Sequence, residues 1–173
     1  YLGINRAENA LRTFINLVMT TLKGVEWWEK FVPQKIKMKH KGRNVQFKRT
    51  AESFKNVDDH LISIDVDDLV DVMRMQVKKW EPQHDENIET WLVDGNEKRL
   101  FDKLKSQLAV KFDFWDSIFG KYFDVQFLDA WDIFCKNRNH IAHNKPIDKS
   151  AYNLMEENVG EILQQIATAE AKF

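Results

Sequence analysis

The stretch RNHIAH, residues 138–143, places one arginine and two histidines within six positions. Arg138 follows Phe134 by four residues and Trp131 by seven, so helical spacing places it on the apolar side of its helix. Burying an isolated guanidinium costs several kcal/mol, so Arg138 needs either a carboxylate partner or a polar cleft. If its role is structural, we expect the partner to be one of the chain's many aspartates.

His143 supplies a second reactive group near the end of the same helix, which Pro146 must close. It lies five positions after Arg138, about 140° around an ideal helix. A neutral imidazole with a pKa near ~6.5 can exchange a proton at neutral pH, and a guanidinium can hold a phosphate and its developing charge. The two groups are sufficient for RNA scission in which a 2′-hydroxyl attacks the adjacent phosphate, a reaction that needs no metal.

Other readings of the nearby polar residues remain open. His140 and His143 form an H-x-x-H pair with zinc-ligand spacing, but no third ligand is evident nearby, so we expect no metal. His140 falls opposite Arg138, where it would be exposed or lie at an interface. Asn144 could hold His143 through its amide or cap the helix. His84 and Asp85 suggest a metal phosphohydrolase as a rival function.

Apolar residues at three- and four-residue intervals predict the helices that must position these groups. The first runs from Ile4 to Leu22 and ends at Gly24, and the aromatic segment VEWWEKFVP continues as a short helix up to Pro33. Asp65 and Asp124 are expected to cap two further helices, and a last one begins near Ser150. The helix after Asp65 should bury residues as far as Val77 and Trp80 and end before Pro82. Residues 87–108 read as two helices around an Asp94-Gly95 turn. The prediction is a single all-α domain over residues 1–173, a bundle of about five to seven helices.

A basic insertion occupies residues 34–51, which carry seven lysines and arginines and no acidic residue. The alternation around Gly42 is compatible with a small hairpin. The insertion could follow an RNA backbone, or it could pack on the acidic run from Asp58 to Asp71. The residues expected to contact RNA are Lys35, Lys37, Lys39, Lys41, Arg43, Lys136 and Lys145.

Composition limits the remaining classes. The formal net charge is −1, so total charge gives no argument for a nucleic-acid or membrane partner. No apolar run approaches membrane-span length. Cys135 is the only cysteine, which excludes an internal disulfide, and we expect it to be a plain buried thiol. We expect a cytoplasmic protein, and the chain, which begins with Tyr1, could be a domain of a longer one.

The segment KNRNHIAHNKP resembles the R-x-x-x-x-H signature of HEPN domains. Arg138 and His143 match the signature pair, Asn139 matches the polar position after the arginine, and the ending AHNKP is also similar. RAENALRTFINLVMTTLKGVEWWEKFVP and LISIDVDDLVDVM resemble helices of a HEPN branch shared by bacterial defence proteins and eukaryotic RNA-surveillance endonucleases. The basic insertion departs from the simplest members.

The resemblance implies an endoribonuclease that needs neither metal nor cofactor and often acts as a toxin. Two motifs would face each other across a homodimer and cut single-stranded RNA. The catalytic residues would be Arg138, His143 and Asn139, with His140 and Asn144 in support, and an antitoxin or a sensor domain is an expected partner. The alternative is a non-catalytic HEPN-like module for dimerisation or for binding RNA or protein.

Overall fold

A computed structural model describes residues 2–50, 60–61, 63–79, 110–143 and 145–173, with side chains described over 2–43, 60–61, 63–76, 113–143 and 145–173. These residues form seven α-helices, which confirms the expected all-α bundle of five to seven helices. The helices are α1 (Leu2–Lys23), α2 (Trp27–Phe31), α3 (Gln34–Thr50), α4 (Val66–Met73), α5 (Phe114–Ser117), α6 (Val125–Ala142) and α7 (Lys149–Lys172). Two short strands, β1 (Gln76–Lys79) and β2 (Val110–Asp113), pair antiparallel, and a 3₁₀ turn spans Phe119–Lys121.

The core is built from the three long helices α1, α6 and α7, and α7 packs against both of the others. Helical spacing brings the apolar residues of α1 to one face, and Leu11, Phe14 and Ile15 are fully buried there. Aromatic rings are packed in a row along α6, starting just before its first residue. Phe123 and Phe127 lie 4.1 Å apart between ring centroids, and Trp131 and Phe134 lie 4.7 Å apart. Because this aromatic face is buried, the rotation of α6 about its axis is fixed. The directions in which the side chains of its last two turns point are fixed with it.

Helix ends follow the local signals in most cases. Gly24 adopts φ +84°, a left-handed conformation that ends α1 at little cost. Asp124 caps α6, because its Oδ1 accepts a hydrogen bond from the backbone N of Phe127 at 3.0 Å. Asp148 caps α7 through Ala151 N at 2.7 Å, close to the predicted start at Ser150. In α7, Met155, Val159 and Ile162 are buried, whereas Leu154 is 63% exposed.

The hairpin expected within residues 34–51 is wrong, because this segment forms α3. Lysine favours helices, and no proline interrupts the segment. Helical spacing places Ile36 and His40 on one side, where Ile36 is buried and the His40 ring lies 5.2 Å from the ring of Trp28. The alternating lysines therefore lie on a helix, where they contact solvent or form ion pairs. They do not mark the two faces of a strand.

The helix after Asp65 is shorter than predicted and ends at Met73. The chain then enters β1, which pairs with β2, and Phe114 N donates a hydrogen bond to Met75 O at 3.0 Å. Val77 thus lies in a strand and not in a helix. Trp80, Pro82, the His84–Asp85 pair and the two helices predicted within residues 87–108 lie outside the described residues.

Within the part of the chain that the structure describes, no helix has the length and apolarity required to cross a lipid bilayer.

Candidate functional site

Arg138 lies one turn before the end of α6, at the point where the buried face of that helix reaches the surface. Phe134 is fully buried one turn earlier, whereas the Arg138 side chain is 36% exposed. Ile141 is half-buried and Ala142 is exposed, so the predicted apolar stripe ends before Ala142. The guanidinium therefore occupies the border between core and solvent, a position where an arginine can meet a ligand while its stem packs on apolar side chains.

The partner of Arg138 is Glu8 of α1, and not one of the aspartates as expected. Arg138 Nε lies 3.0 Å from Glu8 Oε1, and the glutamate side chain is only 11% exposed. The other carboxylate oxygen accepts a hydrogen bond from Arg12 Nη1 at 3.2 Å. Arg12 is held in turn by two backbone carbonyls, those of Leu61 at 2.8 Å and Ile64 at 3.3 Å. One carboxylate thus joins two guanidinium groups, and both of its oxygens are used.

Asn139 contacts the same guanidinium from the other side. Arg138 Nη1 donates a hydrogen bond to Asn139 Oδ1 at 3.3 Å. The contact places Asn139, one of the expected catalytic residues, against the guanidinium and leaves Arg138 Nη2 without a hydrogen bond to any described residue. A phosphate oxygen could approach that nitrogen without displacing either side chain.

His143 is the C-terminal cap residue of α6, and its backbone N donates to Asn139 O at 3.2 Å. Its side chain is exposed, and no hydrogen bond joins its ring to any other described residue. Arg138 and His143 therefore share the end of one helix, and no hydrogen bond joins their side chains. Asn144, the other predicted support of His143, lies outside the described residues. An exposed imidazole with unused nitrogens is free to exchange a proton with a ligand.

A small cleft of about 100 Å³ opens beside the guanidinium. Its walls come from the first two turns of α1 and the last turns of α6, and its lining residues are Ile4, Asn5, Glu8, Arg138, Ile141 and Ala142. The cleft gives Arg138 an approach from solvent, and its partner Glu8 lines the same cleft.

His140 is half-buried on another side of α6, with its Nε2 3.4 Å from the carbonyl oxygen of Pro146. Among the described residues, no group of three histidine, cysteine, aspartate or glutamate side chains has the arrangement of a metal site. The structure thus places His140 beside the loop between α6 and α7, outside the Arg138 cleft.

The basic side chains that the structure describes in α3, from Lys35 to Arg43, divide into two groups. Lys39 Nζ lies 2.7 Å from Asp68 Oδ1, and Arg43 pairs with Asp65, so the insertion docks on the acidic run. The hydrogen bond from Lys39 to Asp68 raises the pKa of that lysine, and the bond to Asp65 raises the pKa of Arg43. Lys37 pairs with Glu29 at 3.5 Å. Lys35 and Lys41 are exposed and form no ion pair with any described residue, so they are the best placed of this group for a phosphate backbone.

Near the motif, Lys136 pairs with Asp132, an interaction that raises the pKa of the lysine, whereas Lys145 is exposed. Cys135 is buried, as expected, and its burial raises the pKa of the thiol, with a further contribution from a hydrogen bond to Asp67.

Glu8 is the site residue that sequence reasoning missed. With Arg12 it reads as an ordinary surface pair four residues apart. Yet Glu8 follows Ile4 by four positions and precedes Leu11 by three, so it lies on the buried stripe of α1. A carboxylate on an apolar stripe needs a cationic partner, and this requirement is the sequence signal by which Glu8 could have been identified.

Comparison of the chain with protein-family models, with curated proteins and with solved structures finds no match, so functional inference rests on the residues and their geometry.

Proposed function

We propose that this protein is a metal-independent endoribonuclease of the HEPN type, which cleaves single-stranded RNA. The observation that carries the proposal is how the Arg138 guanidinium is held and where it lies. Its guanidinium is held by Glu8 through Nε and by Asn139 through Nη1, and it lies at the protein surface on the same helix end as the exposed His143. A fixed cation and an imidazole on the same helix end are the two kinds of group that phosphate transesterification requires.

In the proposed reaction, the 2′-oxygen attacks the adjacent phosphorus, and the bond from phosphorus to the 5′-oxygen breaks. His143 in its neutral form takes the proton of the 2′-hydroxyl. Arg138 donates hydrogen bonds to the phosphate oxygens, whose negative charge grows in the transition state. The departing 5′-oxygen takes a proton from a second acid, and the products are a 2′,3′-cyclic phosphate and a 5′-hydroxyl.

The second acid is best supplied by another copy of the chain. One motif supplies a single His143 imidazole, which takes the first proton, so a single motif provides an incomplete set of groups. We infer a homodimer in which two α6 ends face each other about a twofold axis, as the HEPN resemblance implies. The same resemblance suggests a toxin or defence role, restrained by an antitoxin or a sensor domain, with RNA in the cytoplasm as the target.

The direct test is incubation of the purified protein with total RNA in EDTA, followed by mapping of the cut sites and their end groups. We expect cleavage that leaves 2′,3′-cyclic phosphate and 5′-hydroxyl ends and that is absent with His143→Ala. Ends that carry a 5′-phosphate, or loss of cutting in EDTA, would contradict the proposal and favour a metal-dependent hydrolase.

A second candidate is a non-catalytic helical module that binds a partner. The Glu8–Arg138 ion pair favours it, because a nearly buried carboxylate that pairs with an arginine also serves as a structural contact between helices. Toxicity on expression separates the two candidates. A nuclease should inhibit growth, and His143→Ala, which leaves the ion pair intact, should relieve that inhibition.

A further inference from the structure

A second and larger cleft, of about 250 Å³, lies between the last turns of α6 and the start of α7. Its apolar walls include Ile141 of α6, Ile147 of the connecting loop and Met155 of α7. Lys136, Asn137 and His140 supply polar groups from α6. A concave site that combines apolar walls with polar groups can hold a small ligand, and the proposed chemistry at Arg138 does not use this cleft.

The polar groups of this cleft are not equally available to a ligand. Lys136 is neutralised by Asp132, and His140 lies 3.4 Å from Pro146 O. Asn137 is half-buried, and its carboxamide makes no hydrogen bond to any described residue. A carboxamide offers both donors and an acceptor, so Asn137 can form two hydrogen bonds with one planar partner.

The two clefts adjoin each other. Ile141 lines both the cleft beside Arg138 and the one beside Asn137, and Asn137 directly precedes Arg138 on α6. A ligand in the larger cleft therefore lies next to the guanidinium, on the other side of a single apolar side chain.

The charge around the cleft favours a ligand that carries phosphate. Residues 136–149 contain four cationic side chains and one acid, Asp148. Lys136 pairs with Asp132 and Arg138 with Glu8, whereas Lys145 and Lys149 form no ion pair with any described residue. An apolar peptide would gain nothing from these cations, whereas a nucleotide combines a flat ring, hydrogen-bonding edges and a negative backbone. Sequence-specific proteins read unstacked RNA bases through apolar or aromatic contacts to the ring and hydrogen bonds to its edge.

We propose that this cleft binds the base of the nucleotide next to the scissile phosphate, with Asn137 reading the base edge and Ile141, Ile147 and Met155 contacting the ring. The assignment rests on the proposed ribonuclease function. It makes Asn137 a specificity residue that selects the cut site, and it gives His140 a place at the rim of the base site.

The test separates binding from cleavage. The His143→Ala variant, which keeps the cleft intact, is titrated with each of the four ribonucleoside 5′-monophosphates, and the Asn137 side-chain amide is followed by NMR. We expect one or two nucleotides to shift that resonance, and Asn137→Ala in the same background should weaken their binding about tenfold. In the active protein, Asn137→Ala should broaden the base preference at mapped cut sites. Asn153→Ala, an exposed asparagine of α7 outside the cleft, is the matched control and should leave both measurements unchanged.

Two results would overturn the inference. One is that no nucleotide shifts the resonance of the Asn137 side-chain amide, or that Asn137→Ala changes neither the affinity for nucleotides nor the base preference at the cut sites. The other is that Asn137→Ala dissociates a dimer while nucleotide affinity is unchanged, which would make the cleft a contact between subunits. If nucleotides bind at Asn137 but the active protein cuts no RNA, the ribonuclease proposal fails while the base site stands.

Discussion

Glu8 and Arg138, 130 residues apart in the chain, lie in a hydrogen-bonded ion pair with 3.0 Å between Oε1 and Nε. This contact joins the second turn of α1 to the last turns of α6. The ion pair fixes the position of the arginine, which should raise the rate of the reaction. It also offsets part of the charge of the arginine, which should weaken the affinity for RNA.

Glu8→Gln should therefore lower kcat about 10- to 100-fold, because the guanidinium is no longer fixed relative to the phosphate. The same variant should lower KM for RNA, since the positive charge of Arg138 is no longer shared with a carboxylate. Steady-state kinetics on one RNA substrate measures both constants. A purely structural role would reduce the active fraction without tighter binding.

Arg12→Met provides the control for Glu8, because it removes the neighbour on the other carboxylate oxygen and leaves the ion pair between Glu8 and Arg138. It should reduce the free energy of unfolding by about 1–3 kcal/mol, as expected when a partly buried carboxylate loses one hydrogen-bonded partner and keeps the other. Kinetic constants per folded molecule should not change. If Arg12→Met reproduces the lower kcat and KM, the whole network and not the Glu8–Arg138 pair sets them.

Arg138→Ala and His143→Ala should each reduce RNA cleavage by about 10²–10³-fold or more while the helical circular dichroism spectrum is retained. Asn139→Ala should cost less, because Glu8 still holds the guanidinium when the 3.3 Å hydrogen bond to Asn139 is removed. Wild-type activity in either of the first two folded variants would refute the assignment of the catalytic pair.

The protein should form a homodimer, and its specific activity should fall on dilution below the dissociation constant of the dimer. Light scattering and cleavage assays over the same concentration series measure the two properties. A monomer that remains fully active at every concentration would contradict the shared-site arrangement.

Lysines on α3 should separate into those that bind RNA and those that hold the helix in place. The double variant Lys35→Gln/Lys41→Gln should weaken RNA binding and reduce the slope of log affinity against log salt by about 0.7 for each phosphate that is no longer neutralised. Its thermal stability should be unchanged, since neither lysine pairs with a described residue. Fluorescence titration at several salt concentrations provides the slope, and an unchanged slope would exclude this face of α3 as an RNA-binding surface.

Lys39→Gln is the counterpart from the same helix. Asp68 has a side chain only 4% exposed and depends on Lys39 for its ion pair, and its Oδ2 has no hydrogen-bond partner among the described residues. Loss of that partner should reduce the free energy of unfolding by about 1–3 kcal/mol, as measured by urea denaturation. A stability equal to that of the Lys35→Gln/Lys41→Gln variant would show that the ion pair does not hold α3 in place.

Cys135 should resist alkylation in the native protein, because burial raises the pKa of its thiol and keeps it protonated at neutral pH. Iodoacetamide should react slowly under native conditions and readily in urea, as followed by mass spectrometry. Rapid native modification would mean that this face of α6 is not buried.

Apolar spacing was sufficient to predict α1, α2, α6 and α7, because each of these helices buries a continuous stripe and has a local end signal such as Gly24, Pro33 or Asp124. The segment from Gln34 to Thr50 was misread because its few apolar residues carry little periodicity, and its position depends on Trp28, Asp65 and Asp68 elsewhere in the chain. The end of α4 also had no local signal. It is set by the pairing of β1 with a strand that begins 31 positions after β1 ends.

The site was only partly predictable, because its geometry also depends on residues that are distant in the sequence. A six-residue motif was enough to identify Arg138, Asn139 and His143. The sequence could not identify the partner of Arg138, because that depends on which helix packs beside the end of α6. The apolar stripe of α1 marks Glu8 as a carboxylate that needs a cation, but only the folded chain, which brings Glu8 within 3.0 Å of Arg138 Nε, shows which cation it binds.

The sequence separation between Glu8 and Arg138 also matters for biosynthesis. Chains emerge from the ribosome with the amino terminus first, so α1 is available long before α6, and α7 must still arrive to cover both. The Glu8 carboxylate has no Arg138 to fix until at least 138 residues have been synthesised. A nascent chain that stops short of α6 therefore carries Glu8 without the guanidinium that pairs with it in the folded protein.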